Sequence, residues 1–367
     1  MATDLLAEAV WACCATTAGA AETPDELDAL GVEWVPAPVP GTVAGALVAA
    51  GRSVAGLETD TSDWWYCCRL PSGGEGRWTL TFEGLATVAD AWFRGAHVLH
   101  AENMFVARSV ELEAVAGDDE LVLRFGALAP LLAARRPRPR WKTHMADHQG
   151  LRWFRTTLLG RQPGWAETPA PVGPWRPVRL EPAGPRLRRR RVAAVCVDAD
   201  GGTEGVVSVS VRVAGLDAVP GAGHPGSARL RVAAPGVPGP EGEVAGPLSA
   251  RAEGDEVVVE GELVVPGVAR WWPHTHGAQP LYALDLEVGG RRLALGRGGF
   301  RTVRVDRAGG AFTVVVNGEA VFCRGACWWP VDPVRLHCDD DELRRSLELV
   351  RGAHMNMVRI PGGTVYE

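Results

Sequence analysis

The sequence predicts a mainly β, multidomain chain: a jelly-roll type sandwich, an immunoglobulin-like sandwich, and the opening of an α/β sheet or barrel. Three observations carry this. Between Asp63 and about Glu181, short β-rich runs recur between turn residues with no long helical pattern. From Val192 to about Arg304, roughly 100 residues hold several more alternating strands, the size of an immunoglobulin-like sandwich, although no Cys-Trp-Cys signature accompanies them. After Phe312 the period changes, and strand, helix and strand follow in that order.

In the first region the strands read DWWYCCRL, RWTLTFE, ATVADAWFRG, NMFVARSVEL and DDELVLRFG. RWTLTFE shows the period of two most clearly, with Trp78, Leu80 and Phe82 on one face and Arg77, Thr79, Thr81 and Glu83 on the other. The segment EPAGPRLRRRR then reads as a boundary, its arginines a solvated linker or edge, or else a polyanion contact. In the second region GVVSVSVRV, SARLRVA, DEVVVEGELVV and LYALDLEVGG are the clearest strands, and the Gly and Pro cluster at 233–247 reads as a long loop. Beyond it, AVFCRGACWWP reads as a buried strand ending in an aromatic loop. Asp339 and Glu342 have capping-box spacing at the start of a helix to Gly352, on which Leu343, Leu347 and Val350 would pack against a sheet. HMNMVRI follows as a second buried strand.

Composition bounds the function. The chain has 367 residues, is 46% hydrophobic and carries a net charge of −6, so nothing in its overall charge argues for nucleic acid. The first twenty residues lack a basic stretch ahead of an apolar one, and no apolar run approaches a membrane span, so a cytoplasmic protein without a membrane partner is expected. The eight cysteines match neither a zinc ribbon nor a disulfide framework and read as reduced thiols. His144, Asp147 and His148, and separately His274 with His276, offer too few ligands for a closed metal site, so no metal is expected.

Eight stretches, in order, carry a resemblance: APVPGTVAGAL (37–47), SDWWYCCRL (62–70), FEGLATVADAWFRGAHVLHAENMF (82–105), VGPWRPVRL (172–180), RWWPHTHGAQPLYAL (270–284), GFRTVRVD (299–306), NGEAVFCRGACWWPVD (317–332) and NMVRIPGGTVYE (356–367). They resemble the landmarks of glycoside hydrolase family 2, more its β-mannosidase branch than its β-galactosidases. The resemblance implies a galactose-binding-like jelly roll over 1–182, an immunoglobulin-like sandwich over 183–305, and the N-terminal part of a (β/α)8 barrel over 306–367. It further implies a retaining exo-β-glycosidase that removes terminal β-linked sugars from a carbohydrate partner and needs no cofactor.

Retention needs two carboxylates about 5–5.5 Å apart. In this family both are glutamates on later barrel strands, the acid/base preceded by Asn. Here Asn103, Asn317 and Asn356 are not followed by Glu, and a barrel takes roughly 250 residues. The expectation is therefore an N-terminal portion of such an enzyme, with no catalytic residue of its own. The alternatives are a non-catalytic carbohydrate-binding protein and a truncated, inactive gene product.

The resemblance places Trp328, Trp329 and Asp332 after the first barrel strand and Arg359 at the end of the second, where barrel sites form. Aromatic faces stack on sugars, a carboxylate accepts hydroxyl hydrogen bonds, and an arginine orients carboxylates. Packing and structural salt bridges are the other reading of these four. Many β-mannosidases carry Gly-Trp-Asp-Trp before the GxWRPV strand. Gly164 and Trp165 match it, Ala166 stands where the aspartate would be, and Glu167 is the candidate substitute. That departure, with Pro361 where tryptophan is frequent, leaves a related β-glycoside as open as a mannoside.

Overall fold

The computed structural model describes residues 4–137, 140–162, 164, 165, 167–199, 202–216, 228–237 and 239–366. Ala166 lies outside them. The chain divides into two compact units, one of residues 1–182, 327–347 and 359–367, the other of 183–326 and 348–358.

The first unit holds β1 (Trp11–Thr17), α1 (Pro24–Asp28), β2 (Val35–Pro36), α2 (Val43–Ala49) and β3 (Ser62–Arg69). There follow β4 (Gly74–Phe82), β5 (Ala89–Phe93), β6 (Ala96–Ala101), β7 (Arg108–Val115), β8 (Glu120–Phe125), α3 (Leu128–Ala133) and β9 (Val178–Pro182). A six-stranded sheet in the order β2-β1-β3-β8-β5-β6 faces a three-stranded sheet, β7-β4-β9. Tyr66, Leu121, Leu123 and Phe125 from the one meet Leu80, Phe82 and Leu180 from the other in a single core. The alternation read in RWTLTFE is what buries Trp78, Leu80 and Phe82 there. Each such side chain contributes on the order of 1.5–3 kcal/mol. On the outer face of the larger sheet Trp65 stacks on Trp92, ring centroids 5.8 Å apart.

The second unit is also built of strands. β10 (Arg186–Ala199), β11 (Gly202–Ala214), β12 (Ala228–Ala233), β13 (Glu243–Glu253), β14 (Glu256–Val265), β15 (Tyr282–Val288) and β16 (Arg291–Gly298) form one sheet in the order β10-β11-β14-β13-β12-β15-β16. It folds over so that Val209 and Val259 meet Leu230 and Leu286 in one core. The arginines of 186–191 lie on β10, the edge strand of this sheet, paired with β11, so they form a solvated edge rather than a linker. One reading needs correction. Residues 243–247 belong to a strand, with Pro247 paired to Arg229, so the expected loop is shorter than 233–247.

The remaining elements are β17 (Val303–Asp306), β18 (Thr313–Val316), β19 (Glu319–Val321), β20 (Gly325–Cys327), α4 (Asp340–Gly352) and β21 (Met357–Arg359). β17, β18 and β19 form an antiparallel sheet. β20 and β21 run the same way: Met357 N–H donates to Arg324 C=O at 3.2 Å and Trp328 N–H to Arg359 C=O at 2.7 Å. The capping box forms reciprocally, Glu342 N–H to Asp339 Oδ1 at 2.7 Å and Asp339 N–H to Glu342 Oε2 at 2.9 Å. The expected burial does not form. AVFCRGACWWP splits into β19 and β20, every residue of β20 and β21 is exposed, and α4 buries none of its side chains. Parallel strands are covered only when neighbouring strands and helices pack on both faces, and no described element does so here.

Candidate carbohydrate site

All six residues proposed to contact sugar lie in the first unit. The landmark PGTVAG explains part of their placement. Thr42 caps α2 by accepting from Gly45 N–H at 3.1 Å, and its hydroxyl donates to the Val334 carbonyl. Gly45 lets this helix approach Arg335, since a Cβ there would lie 3.1 Å from Arg335 Cγ. The 328–336 loop is thereby seated on the sandwich. Its lower side joins a small core in which Trp329 packs with Met104, Leu159, Trp175, Leu336 and Val365. Trp175 is fixed by Nε1–H donating to Met104 C=O at 2.9 Å. The final loop is tied in as well, because the Thr157 hydroxyl and Leu158 N–H both donate to Gly363 C=O, at 2.6 and 2.7 Å.

The rings of Trp165 and Trp329 lie 6.2 Å apart with their planes at 31°. This pair brings together two loops more than 160 residues apart, and Trp165 remains 51% exposed. Trp328 is half-buried, and Glu167 is exposed on the same loop as Trp165. Arg359 is exposed and donates from Nη1 to Cys327 Sγ at 3.5 Å.

Asp332 is committed locally. Its Oδ1 accepts from Val334 N–H at 2.9 Å and Arg335 N–H at 2.8 Å, while Oδ2 accepts from Arg335 Nε at 2.6 Å. Burial pushes its carboxyl pKa upward, but the bonds from the Arg335 N–H and guanidinium and from the Val334 N–H together outweigh it. The carboxyl stays below the usual carboxylate range. Arg335 continues to Glu342 at 2.9 Å, linking Asp332 to the first turn of α4. Arg335 was not among the residues read from the sequence, although an i, i+3 pair with Asp332 is the signal that could have shown it.

A family model described as a glycosyl hydrolase 2 galactose-binding domain-like domain matches residues 17–176. The first sandwich is thus similar to the galactose-binding-like domain of glycosyl hydrolase family 2. A β-mannosidase B of Emericella nidulans is 27% identical over 305 residues, covering 78% of this chain and 34% of that protein. One from Aspergillus fumigatus is 28% identical over 306 residues, with the same shares. The chain thus spans about a third of the length of the curated relatives it matches. Among solved structures, a β-D-mannosidase from Dictyoglomus thermophilum shares the fold with a TM-score of 0.75 at 21% identity, over 100% of this chain and 45% of that one. The exo-chitosanase CsxA of Amycolatopsis orientalis gives 0.63 at 19%, over 100% and 41%.

Elsewhere on the first sandwich, pairing of β5 with β6 gathers a cluster not read from the sequence. Asp90 Oδ1 bonds to His97 Nε2 at 3.0 Å and to His100 Nδ1 at 2.8 Å, with Glu102 3.5 Å from His100 Nε2. The bond to Asp90 raises the His100 pKa above the ordinary histidine value; partial burial opposes this and Glu102 adds to it. A folded-state pKa above the unfolded one stabilises fully below the unfolded value, about 6.5, and the gain disappears as pH rises through the folded value. Thermal melts should therefore show His100→Gln lowering the midpoint at pH 5.5 and not at pH 8.5. An equal deficit at both would mean that the imidazolium contributes nothing.

Among the described residues, the other histidines lie outside the α-helices and strands. His148 Nδ1 accepts from Gly150 N–H at 3.0 Å, and His274 Nε2 bonds to Met355 C=O at 2.6 Å. Among the described residues no three His, Cys, Asp or Glu converge on a metal position, and no helix is long and apolar enough to cross a membrane.

Proposed function

We propose that this chain is the N-terminal part of a β-mannosidase-like, retaining exo-β-glycosidase that hydrolyses terminal β-linked sugars of oligosaccharides or glycans, its catalytic glutamates lying outside these residues. In this reading 1–182 is the sugar-binding-like jelly roll, 183–305 the immunoglobulin-like sandwich and 306–367 the start of the (β/α)8 barrel. The carrying observation is the Trp165 and Trp329 pair, in which an exposed indole from the sandwich meets the loop after β20. A pyranose laid on Trp165 has Glu167 on the same loop as a hydrogen-bond acceptor, with Trp328 and Arg359 on the neighbouring strand ends. The solved β-D-mannosidase with the same fold supports this reading. So does the parallel pairing of β20 and β21 around α4. The eight free cysteines favour a reducing, cytoplasmic setting.

A non-catalytic carbohydrate-binding role is the competing reading, and the full engagement of Asp332 by Arg335 favours it. Titration calorimetry with β-1,4-mannotriose addresses both readings. Trp165→Ala should weaken binding by about tenfold or more, the loss of one stacking platform at roughly 1–2 kcal/mol. Unchanged affinity in the variant would remove the indole pair from the site.

A further inference from the structure

We propose that the cavity between the end of α3 and residues 148–153 of the first sandwich binds a carboxylate-bearing oligosaccharide at a place separate from the Trp165 and Trp329 pair; this rests on the carbohydrate reading of the chain. The charge pattern points there first. Residues 131–155 hold seven arginine or lysine residues, the single lysine of the chain among them, against one acidic residue, Asp147, although the whole chain carries −6. The salt bridges of this sandwich lie elsewhere, as in Arg124 with Asp63 and Arg161 with Asp60. Among the described residues, Arg135, Arg136, Arg140 and Lys142 take part in none.

The region is also concave and aromatic. A cavity of about 760 Å³ opens between the end of α3 and residues 148–153, lined by Arg135, Arg136, His148, Gln149 and Trp153. That volume is in the range of small-ligand sites. Trp153 is 45% exposed at its wall. Nearby side chains hold one another in place. Gln149 accepts from Thr143 N–H at 3.1 Å and donates to Thr143 C=O at 2.7 Å. Arg152 is anchored to Gln149 by bonds of 2.9 and 2.7 Å and lies 4.4 Å over Trp141, which is itself 62% exposed. The Arg136 guanidinium lies 5.0 Å over the Phe154 ring, so its planar fork is oriented by stacking while its edge remains available to an acceptor.

A guanidinium fork matches a carboxylate through two parallel hydrogen bonds, and an indole face matches the apolar face of a pyranose. One cavity offering both recognises an acidic sugar better than a neutral one. A nucleic acid needs positive charge laid out along successive phosphates, whereas the cavity here is lined by two adjacent arginines, Arg135 and Arg136, on an acidic chain.

Titration of the 367-residue chain with trigalacturonate, mannotriose and a single-stranded DNA 12-mer at low salt tests this. Trigalacturonate is expected to bind at least tenfold tighter than mannotriose, and to weaken as salt is added. Arg135→Glu combined with Arg136→Glu, and separately Trp153→Ala, should each cost tenfold or more for trigalacturonate; Trp165→Ala should cost nothing for it. Matching thermal midpoints for parent and variants, whose altered residues are exposed, show that each is folded. Absence of saturable trigalacturonate binding, equal affinity for both trisaccharides, or displacement of trigalacturonate by tighter-binding DNA would each overturn the proposal. Mannotriose binding that depends on Trp165 would survive any of these results, so the two sites fail separately.

Discussion

Incubated with an aryl β-mannoside, the 367-residue chain is expected to release no aglycone above a buffer blank, with the full-length Aspergillus fumigatus β-mannosidase B assayed beside it as control. Retaining hydrolysis requires one carboxylic acid to protonate the leaving oxygen and a second carboxylate, about 5–5.5 Å away, to attack the anomeric carbon. Among the residues proposed to contact sugar only Glu167 and Asp332 carry carboxyl groups. Asp332 has both oxygens occupied by Arg335 and backbone N–H groups, and its carboxyl is held below the usual range, the wrong direction for a general acid. Glu167 sits exposed on a loop. With acid and nucleophile both outside these residues, as proposed, the chain should fall short of a working enzyme by a factor on the order of 10⁶ or more. Turnover well above the blank that disappears in Asp332→Ala or Glu167→Ala would show the pair to be present after all.

How much of this was legible in the sequence follows from how local each signal is. The alternation of RWTLTFE and the capping box of Asp339 and Glu342 depend on neighbours two to three residues apart, and both formed as read. β1 escaped notice because WACCATT is short and rich in alanine and cysteine, yet pairing with β3 makes it a central strand. β13 was hidden by Gly and Pro at its start, which the β12 and β14 ladders tolerate. The buried look of residues 354–360 came from their apolar content, whereas burial depends on what packs against them. At the site, composition marked Trp165 and Trp329 as candidates but could not show that they meet. The Asp90, His97 and His100 cluster depends on the register of β5 and β6, including a shift between Ala91 and Trp92, which local pattern does not encode.

Asp63→Ala should be among the most damaging single changes to the first sandwich, lowering its unfolding free energy by about 3–5 kcal/mol. This carboxylate is 1% exposed and joins three parts of the chain. Its Oδ2 accepts from Gly19 N–H at 3.0 Å, just past β1, and from Arg124 Nη2 at 2.8 Å on β8; its Oδ1 accepts from Ala127 N–H at 2.7 Å, immediately before α3. Truncation leaves a largely buried guanidinium and two backbone donors without an acceptor, and the penalty arises from those orphaned groups more than from the attraction lost. Asp63→Asn keeps one oxygen, which can still serve Ala127, so its cost should be smaller than that of alanine. Adding Arg124→Met to Asp63→Ala should restore part of the loss, because the uncompensated charge is then removed while its apolar stem still covers Trp65, over whose ring the guanidinium lies at 5.7 Å. Urea melts of the three variants followed by tryptophan fluorescence give the comparison. If alanine costs no more than asparagine, or if Arg124→Met makes the alanine variant worse, then the buried charge is not what makes Asp63 necessary.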